Sequence, residues 1–356
     1  MKSTATANPI LTGHAVEFLQ NSAEFVGRQL FPVFNSPEQS SDYYVFDKEN
    51  MLNVPTEIRR APGSPYRRSL MTLSDDSFAT KNYGVEEPVD DSEYDKYASR
   101  LNADKAAINR ALNIVLINHE IRVHEKATSI SPTSSPGTKW DAGSSDPIGD
   151  INAAREVIHD GCGMDPNTLC IGRDVYNVLC EHPDVLDKIK HTQRGVITAD
   201  LLAAVFKVDR VLVAGVVRNT AAEGQALSVS KIWGDDVILA HVNSAQDLKV
   251  PNFGRTFSWS AAQGSGPGGV AVESYREESV SSNVHRAKQF TDEKLVETRA
   301  EKGETLPAGY TGSQLKAWLR FGQVKESKEA KGAKPEPKAD TKPESPAKPA
   351  PAKSGQ

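Results

Sequence analysis

The chain has 356 residues, 42 Lys plus Arg against 47 Asp plus Glu, a formal net charge of −5, 38% hydrophobic and 25% charged residues. These values match ordinary globular usage and exclude intrinsic disorder of the whole chain, and the acidic balance argues against a general nucleic-acid binder. The length implies about two domains, no window approaches the roughly 18 uninterrupted apolar residues of a membrane span, and the polar start Met1 to Ala7 is unlike a secretory signal, so a cytosolic product is expected.

Residues 1–41 read as an N-terminal arm: a polar opening, then an amphipathic stretch through Val16, Leu19, Phe25, Val26 and Leu30, ended by Phe31-Pro32 and Ser36-Pro37. Residues 42–83 read as an extended β-hairpin loop, with strands over Tyr43 to Leu52 and Arg67 to Tyr83 around the Pro-, Gly- and Arg-rich segment Val54 to Pro65. A two-stranded ribbon is marginally stable alone in water, and ten residues of strand reach about 33 Å. This ribbon is expected to find no support on its own body.

Asp90, Asp91 and Ser92 offer an N-cap with acids in the first turn, and Tyr94, Tyr97, Leu101, Ile108, Leu112 and Val115 follow at helical spacing. With neither Gly nor Pro between Glu93 and Ile130, a spine helix over 92–129 is expected, on the order of 50 Å long. The region 150–248 reads as a compact α+β domain. Its expected helices start near Ile151, Arg173, Val185 and Thr198; its strands are Thr168 to Ile171, Arg210 to Ala214, Ala226 to Trp233 and Val237 to His241. Strands over Phe253 to Ala262 and Val270 to Ser279, with a strand pair over His285 to Thr298, are expected to join early strands. Residues 301–324 form a C-terminal extension, helical over Ser313 to Phe321. Residues 325–356 contain no aromatic residue and no Val, Ile or Leu, and carry eight Lys against four Glu and one Asp, which predicts a disordered, mildly basic tail.

No catalytic, cofactor or metal site emerges. His119-Glu120-Ile121-Arg122-Val123-His124 invites comparison with H-E-x-x-H, but i and i+5 put the two imidazoles roughly 140° apart on a helix, and surface or intersubunit histidines are expected. Gly161-Cys162-Gly163 precedes a strand, the reverse of a dinucleotide fingerprint, and the Gly264 to Gly269 loop lacks the Lys-Ser/Thr of a P-loop. Cys162, Cys170 and Cys180 are too sparse for a disulfide framework and read as reduced core thiols; pairing Cys162 with His159, or Cys180 with His182, leaves a cysteine- or histidine-dependent enzyme as a remote alternative. The charged constellation that stands out sets Arg59, Arg60, Arg67 and Arg68 on the loop against Glu86, Glu87, Asp90, Asp91, Glu93 and Asp95 where the spine begins. One reading is ordinary solvation and helix-dipole chemistry; the other is head-to-tail contact between identical copies.

In this order of elements the chain resembles the major capsid proteins of tailed bacteriophages, with their Hong Kong 97-like fold, over about residues 8 to 300. The resemblance rests on Asn8-Pro9-Ile10-Leu11-Thr12, Leu30-Phe31-Pro32-Val33, Tyr43-Tyr44-Val45-Phe46-Asp47-Lys48 and Asp146-Pro147-Ile148-Gly149-Asp150-Ile151. It rests further on Asp165-Pro166-Asn167-Thr168-Leu169-Cys170-Ile171-Gly172, followed by Val175, Leu179, His182-Pro183 and Ile189-Lys190. It implies an α+β fold with an arm, an extended loop, a peripheral domain over 84–149 and 249–300 that includes the spine, and an axial domain over 150–248. It further implies self-assembly into hexamers and pentamers of an icosahedral head around double-stranded DNA. The implied partners are portal and scaffolding or protease proteins and a decoration protein, with only weak contact to DNA and none to membrane, in a virion made in the bacterial cytoplasm. An encapsulin-like compartment enclosing protein cargo is the alternative within the same architecture. Some relatives join a loop Lys to a neighbour's Asn covalently; Lys48 and Asn53 are near each other in sequence, but no motif marks such a pair and no cross-link is expected.

Overall fold

The computed structural model describes residues 6–7, 11, 15, 24–46, 58–66, 68, 73–96, 100–129, 139–162, 164–190, 197–222, 224–248, 250, 252–262, 269–296 and 318–321. The strands in chain order are β1 (Thr6–Ala7), β2 (Val33–Ser36), β3 (Ser40–Phe46), β4 (Leu73–Ala79), β5 (Lys81–Asp90), β6 (Thr168–Gly172), β7 (Arg210–Ala214), β8 (Val217–Asn219), β9 (Val229–Lys231), β10 (Val237–Ala240), β11 (Gly254–Trp259), β12 (Val270–Glu277), β13 (Ser282–Leu295) and β14 (Trp318–Phe321). The helices are α1 (Gly27–Leu30), α2 (Arg100–Thr128), α3 (Pro147–Cys162), α4 (Arg173–Glu181), α5 (Pro183–Ile189) and α6 (Ala199–Phe206).

The first sheet is built on β13. Along one edge β5 runs antiparallel from Asp90↔Ser282 to Lys81↔Thr291. Along the other, β12 takes the first part of β13 and β11 the last, while β2 adds parallel to β11 and β1 antiparallel to β12. Early and late strands therefore meet in one sheet. Residues of β13 from Ala287 to Leu295 alternate between buried and half-buried, and the buried set faces the spine helix α2. Leu11, Ala15, Ile108, Ala111, Leu112, Val115, Val270, Val272 and Ala287 form the core between them.

The second sheet has the order β14-β10-β6-β7, antiparallel except for the parallel β6–β7 pair. A parallel pair needs a long crossover, and α4, α5 and α6 supply it between β6 and β7. Both faces of this sheet are covered, so its strands read as unbroken apolar runs. Leu169, Ile171, Val237 and Leu239 face a core with Trp140, Ile158, Leu179 and Phe206. Their neighbours Cys170, Ile238 and Ala240 face Phe31, Val123, Trp233 and Phe253 on the other side. Local chemistry starts two of the helices: His182 accepts from the Asp184 amide with Pro183 in the first turn, and Thr198 accepts from the Leu201 amide.

Several expectations need correction. The spine does not run unbroken from residue 92: Asp91–Lys96 is a 3-10 turn and α2 begins at Arg100, because pairing with β13 keeps the chain extended through Asp90. The stretch expected over Arg67 to Tyr83 changes partner at Thr80, whose amide and hydroxyl both donate to the Gln39 carbonyl, at 2.9 and 3.0 Å. What reads as a strand pair over His285 to Thr298 is the end of the single 14-residue β13. Only Val229–Lys231 of the expected Ala226 to Trp233 strand pairs, with β8. The expected helix at Ser313 to Phe321 is overturned where it is described, since Trp318–Phe321 pairs with β10 and satisfies that strand's open edge. The tail, Lys48, Asn53 and the Gly264 to Gly268 loop lie outside the described residues.

Candidate functional site

The loop joins the body through an aromatic root. In the β3–β4 ladder, which runs from Ser40↔Ala79 to Phe46↔Leu73, Tyr43 and Phe78 are both buried. They close on Phe257 of β11: the Phe78 and Phe257 rings stack at 4.3 Å, and Tyr43 lies 5.0 Å from Phe257. Phe34, Leu248 and Val296 complete the cluster. The Tyr43 hydroxyl donates to Asp76 Oδ2 at 3.2 Å, and burial together with that carboxylate pushes its pKa far up, so it stays protonated. The Ala79 amide donates to Asp292 Oδ2 at 3.0 Å. The root of the ribbon thus has a home on its own body, contrary to expectation.

The described part of the tip is different. Ala61-Pro62-Gly63-Ser64 forms a turn closed by the Ser64 amide donating to the Ala61 carbonyl at 3.1 Å, with Gly63 at φ +85°. Pro and Gly at these two central positions are the signature of that turn. Around it Ile58 is 75% and Tyr66 74% exposed, and Arg59, Arg60 and Arg68 are exposed. The Arg60 guanidinium lies 4.7 Å from the Tyr66 ring centroid, and its Nε donates to the Ser64 carbonyl. Arg67 lies outside the described residues. The tip is a cationic surface with two apolar side chains and no cover from the described residues.

The acids at the start of the spine are largely engaged within the chain. Glu86 pairs with Arg286 and accepts from the Tyr275 hydroxyl at 3.2 Å; Glu87 pairs with Arg110 at 3.0 Å. Asp91 takes both terminal nitrogens of Arg276 at 2.7 Å. Asp90 accepts from the Ser92 amide at 2.8 Å, and hydrogen bonds from Ser92 lower its pKa. Asp90 and Glu93 are exposed, and Asp95 lies in the 3-10 turn with its side chain outside the described residues. The structure does not bring the arginines and acids together within one chain in any described contact.

Sequence reasoning missed the two buried carboxylates that lock this frame. Glu120, on α2, accepts from Trp233 Nε1 at 2.7 Å, from the Val26 amide at 3.2 Å and from the Gly27 amide at 2.8 Å. It therefore ties the spine to the arm and to the segment before β10, and burial raises its pKa against the pull of those donors. A Cβ at Gly27 would come within 2.6 Å of its Oε2, which explains the glycine. Glu293, on β13, receives Arg122 through Nε and Nη2, both at 3.0 Å. Burial pushes its pKa up, but the hydrogen bonds and charge of Arg122 outweigh that, and the net shift is downward.

His119 is not a surface histidine: it is buried, 3.3 Å from Thr256 Oγ1, and burial lowers its pKa to about 3. His124 turns elsewhere, to Asp236 Oδ2 at 3.1 Å. The helix thus aims His119, Glu120 and His124 at three different targets. Among the described residues no group of three or more His, Cys, Asp or Glu is placed to hold a metal, and no helix is long and apolar enough to cross a membrane. His182 bonds Ser145 Oγ at 2.9 Å and caps α5, while Cys170 is buried with its thiol pKa well up. Cys180 is half-buried, and the Cys162 side chain lies outside the described residues.

Comparison with known proteins agrees with this architecture. The model of the family described as phage major capsid protein E matches residues 127–249. The chain is 29% identical over 244 residues to the major capsid protein of Burkholderia phage BcepMu, covering 66% of this chain and 76% of that one. It is 21% identical over 262 residues to the major capsid protein of Pseudomonas phage JBD67, covering 71% and 82%. In fold it is similar to a phage-related protein from Bordetella bronchiseptica (TM-score 0.63, 23% identity, 82% of this chain and 94% of that one). It is also similar to a virus-like particle from Pyrococcus furiosus (TM-score 0.51, 11% identity, 88% and 98%). The arm, anchored loop, long helix and paired sheets give the chain the Hong Kong 97-like fold. The matches in sequence point the same way: the family model is that of a phage major capsid protein, and both curated relatives are phage major capsid proteins.

Proposed function

We propose that the protein assembles through hexamers and pentamers into an icosahedral head around double-stranded DNA, without a catalytic role of its own. The observation that carries this reading is the contrast along the loop, whose root is stacked on Phe257 while its tip presents Ile58, Tyr66 and three described arginines to solvent. A rigidly rooted arm with an uncovered end is suited to reach a second copy. The partner surface in this reading is the acidic start of the spine on a neighbour, where Asp90 and Glu93 remain exposed and Glu86, Glu87, Asp91 and Asp95 add negative potential against Arg59, Arg60, Arg67 and Arg68. Several small contacts per subunit suffice, since a subunit held at one contact meets the others at high effective concentration.

The peripheral role falls to the β13 sheet with the spine, over 84–149 and 249–300, and the axial role to 150–248. Synthesis in the host cytoplasm, portal and scaffolding or protease partners, a decoration protein and weak contact with packaged DNA belong to the same reading. A folded body at −8, once the basic tail is set apart, suits a container that must not grip its DNA, because each neutralised phosphate adds salt-sensitive affinity. Negative-stain electron microscopy of the purified chain tests the proposal: closed polyhedral shells are expected, and a well-folded monomer in every assembly condition tried refutes it.

A further inference from the structure

β14 is joined to the chain unlike any other strand of its sheet. β6, β7 and β10 follow one another through α4 to α6 and the β8–β9 hairpin, whereas the 21 residues 297–317 separate β14 from Val296, the last residue described before it. A chain of that length spans up to about 70 Å, and closing it into a loop costs entropy. The contact that closes it is small: four residues, from Trp318↔Ala240 to Phe321↔Val237, on one edge of β10. Among the described residues β14 pairs with no other strand. Such an element belongs to the part of a fold that opens first.

The segment does not choose the extended conformation by itself. Ser313 to Phe321 reads as helix, with the strong helix formers Gln314, Leu315, Lys316, Ala317, Leu319 and Arg320, yet Trp318–Phe321 is a strand. Local preference and observed state disagree, so the strand is imposed by the edge on which it lies.

That edge is held in place from elsewhere. β10 pairs along its other side with β6, and Val237 to Ala240 are wholly buried. Val237 and Leu239 enter the core that holds Trp140 and Phe206; Ile238 and Ala240 enter the one that holds Phe31 and Trp233. With β14 away, β10 presents a row of unpaired amides and carbonyls, the template on which an extended segment adds as a strand.

We propose that β14 is a detachable strap: the β10 edge is a strand-accepting site, filled in the free subunit by the chain's own Trp318–Phe321 and open, once that strap leaves, to the same segment of a second copy. While docked, the strap blocks stray pairing at the edge. Two measurements on the full-length, unassembled chain test this. In native-state hydrogen exchange of wild type, the amides of β14 exchange at least 100-fold faster than those of β6, because β14 leaves while the rest of the sheet stays. A fluorescent peptide of residues 313–324 binds the variant Leu319→Pro with Arg320→Pro, whose own strap cannot complete the ladder, at least tenfold more tightly than it binds wild type. The same peptide carrying both prolines binds neither chain. Exchange of β14 as slow as that of β6 overturns the detachable strap, and equal peptide affinity for variant and wild type overturns the strand-accepting edge. Neither readout needs a shell to form, so failure of the strap and failure of the shell reading are told apart.

Discussion

Replacing Phe78 by alanine separates the rooted part of the loop from its free end. Phe78 is buried and stacks at 4.3 Å on Phe257, with Tyr43 beside it. Truncating a buried phenylalanine costs about 3–5 kcal/mol, and part of the stacking contribution, about 0.5–1.5 kcal/mol, is within that figure. Because the site lies at the joint between loop and body, the cost falls on the β3–β4 ladder. A loss of about 3 kcal/mol raises the population in which the loop is detached by roughly 150-fold. Limited proteolysis of the unassembled subunit, with cleavage sites mapped by mass spectrometry, should show cutting between residues 40 and 80 accelerated by about that factor. Phe78→Leu, which keeps most of the buried volume, should recover most of the protection. Unchanged cleavage in Phe78→Ala would refute the aromatic anchor.

Glu120→Ala strands Trp233 Nε1 and the Val26 and Gly27 amides without their acceptor, which should cost about 3–5 kcal/mol in urea unfolding and release the arm to proteolysis; a loss under about 1 kcal/mol contradicts the three-way clamp. His119 has a folded pKa of about 3 against 6.5 in an ordinary setting, so its stabilising contribution is complete above pH 6.5 and falls as pH drops toward 3, by at most about 1.4 kcal/mol per unit. His119→Gln should flatten that part of the stability profile, and an identical pH slope in the variant would show that the imidazole does not titrate as its burial requires. Arg59→Asp, Arg60→Asp, Arg67→Asp and Arg68→Asp together should cut shell yield with the subunit still folded by circular dichroism; normal shells remove these arginines from the interface.

The second sheet was the most readable part of the fold, because strands covered on both faces announce themselves as apolar runs such as Leu169-Cys170-Ile171 and Val237-Ile238-Leu239. The helix starts near Val185, two residues past the observed start at Pro183, and at Thr198 were likewise readable, since a cap acts on amides two or three residues away. Partner changes were not. Thr80 looks like any strand residue, and only its bonds to Gln39, 41 residues earlier, show where the chain turns from one ladder to the next.

At the site, the exposed tip followed from Pro62-Gly63 and its arginines, whereas the acids looked freer than they are. Their partners Arg276 and Arg286 lie 185 and 200 residues along the chain, brought near by β12 and β13. Glu120 reads in sequence as a failed metal motif. Its three donors come from segments 93 to 113 residues away, and local spacing carries no trace of them. The β8–β9 hairpin escaped notice because Leu227 and Val229 read as part of one strand over Ala226 to Trp233, while Val217 to Asn219 fell outside every expected element.

The most direct test of the account is a cryo-EM map of the assembled shell at side-chain resolution. The account predicts that Ile58, Tyr66 and the loop arginines lie on a neighbouring subunit while Phe78 stays stacked on Phe257 of its own. A map in which the loop tip folds back onto its own subunit, or stands in solvent throughout the lattice, would contradict it.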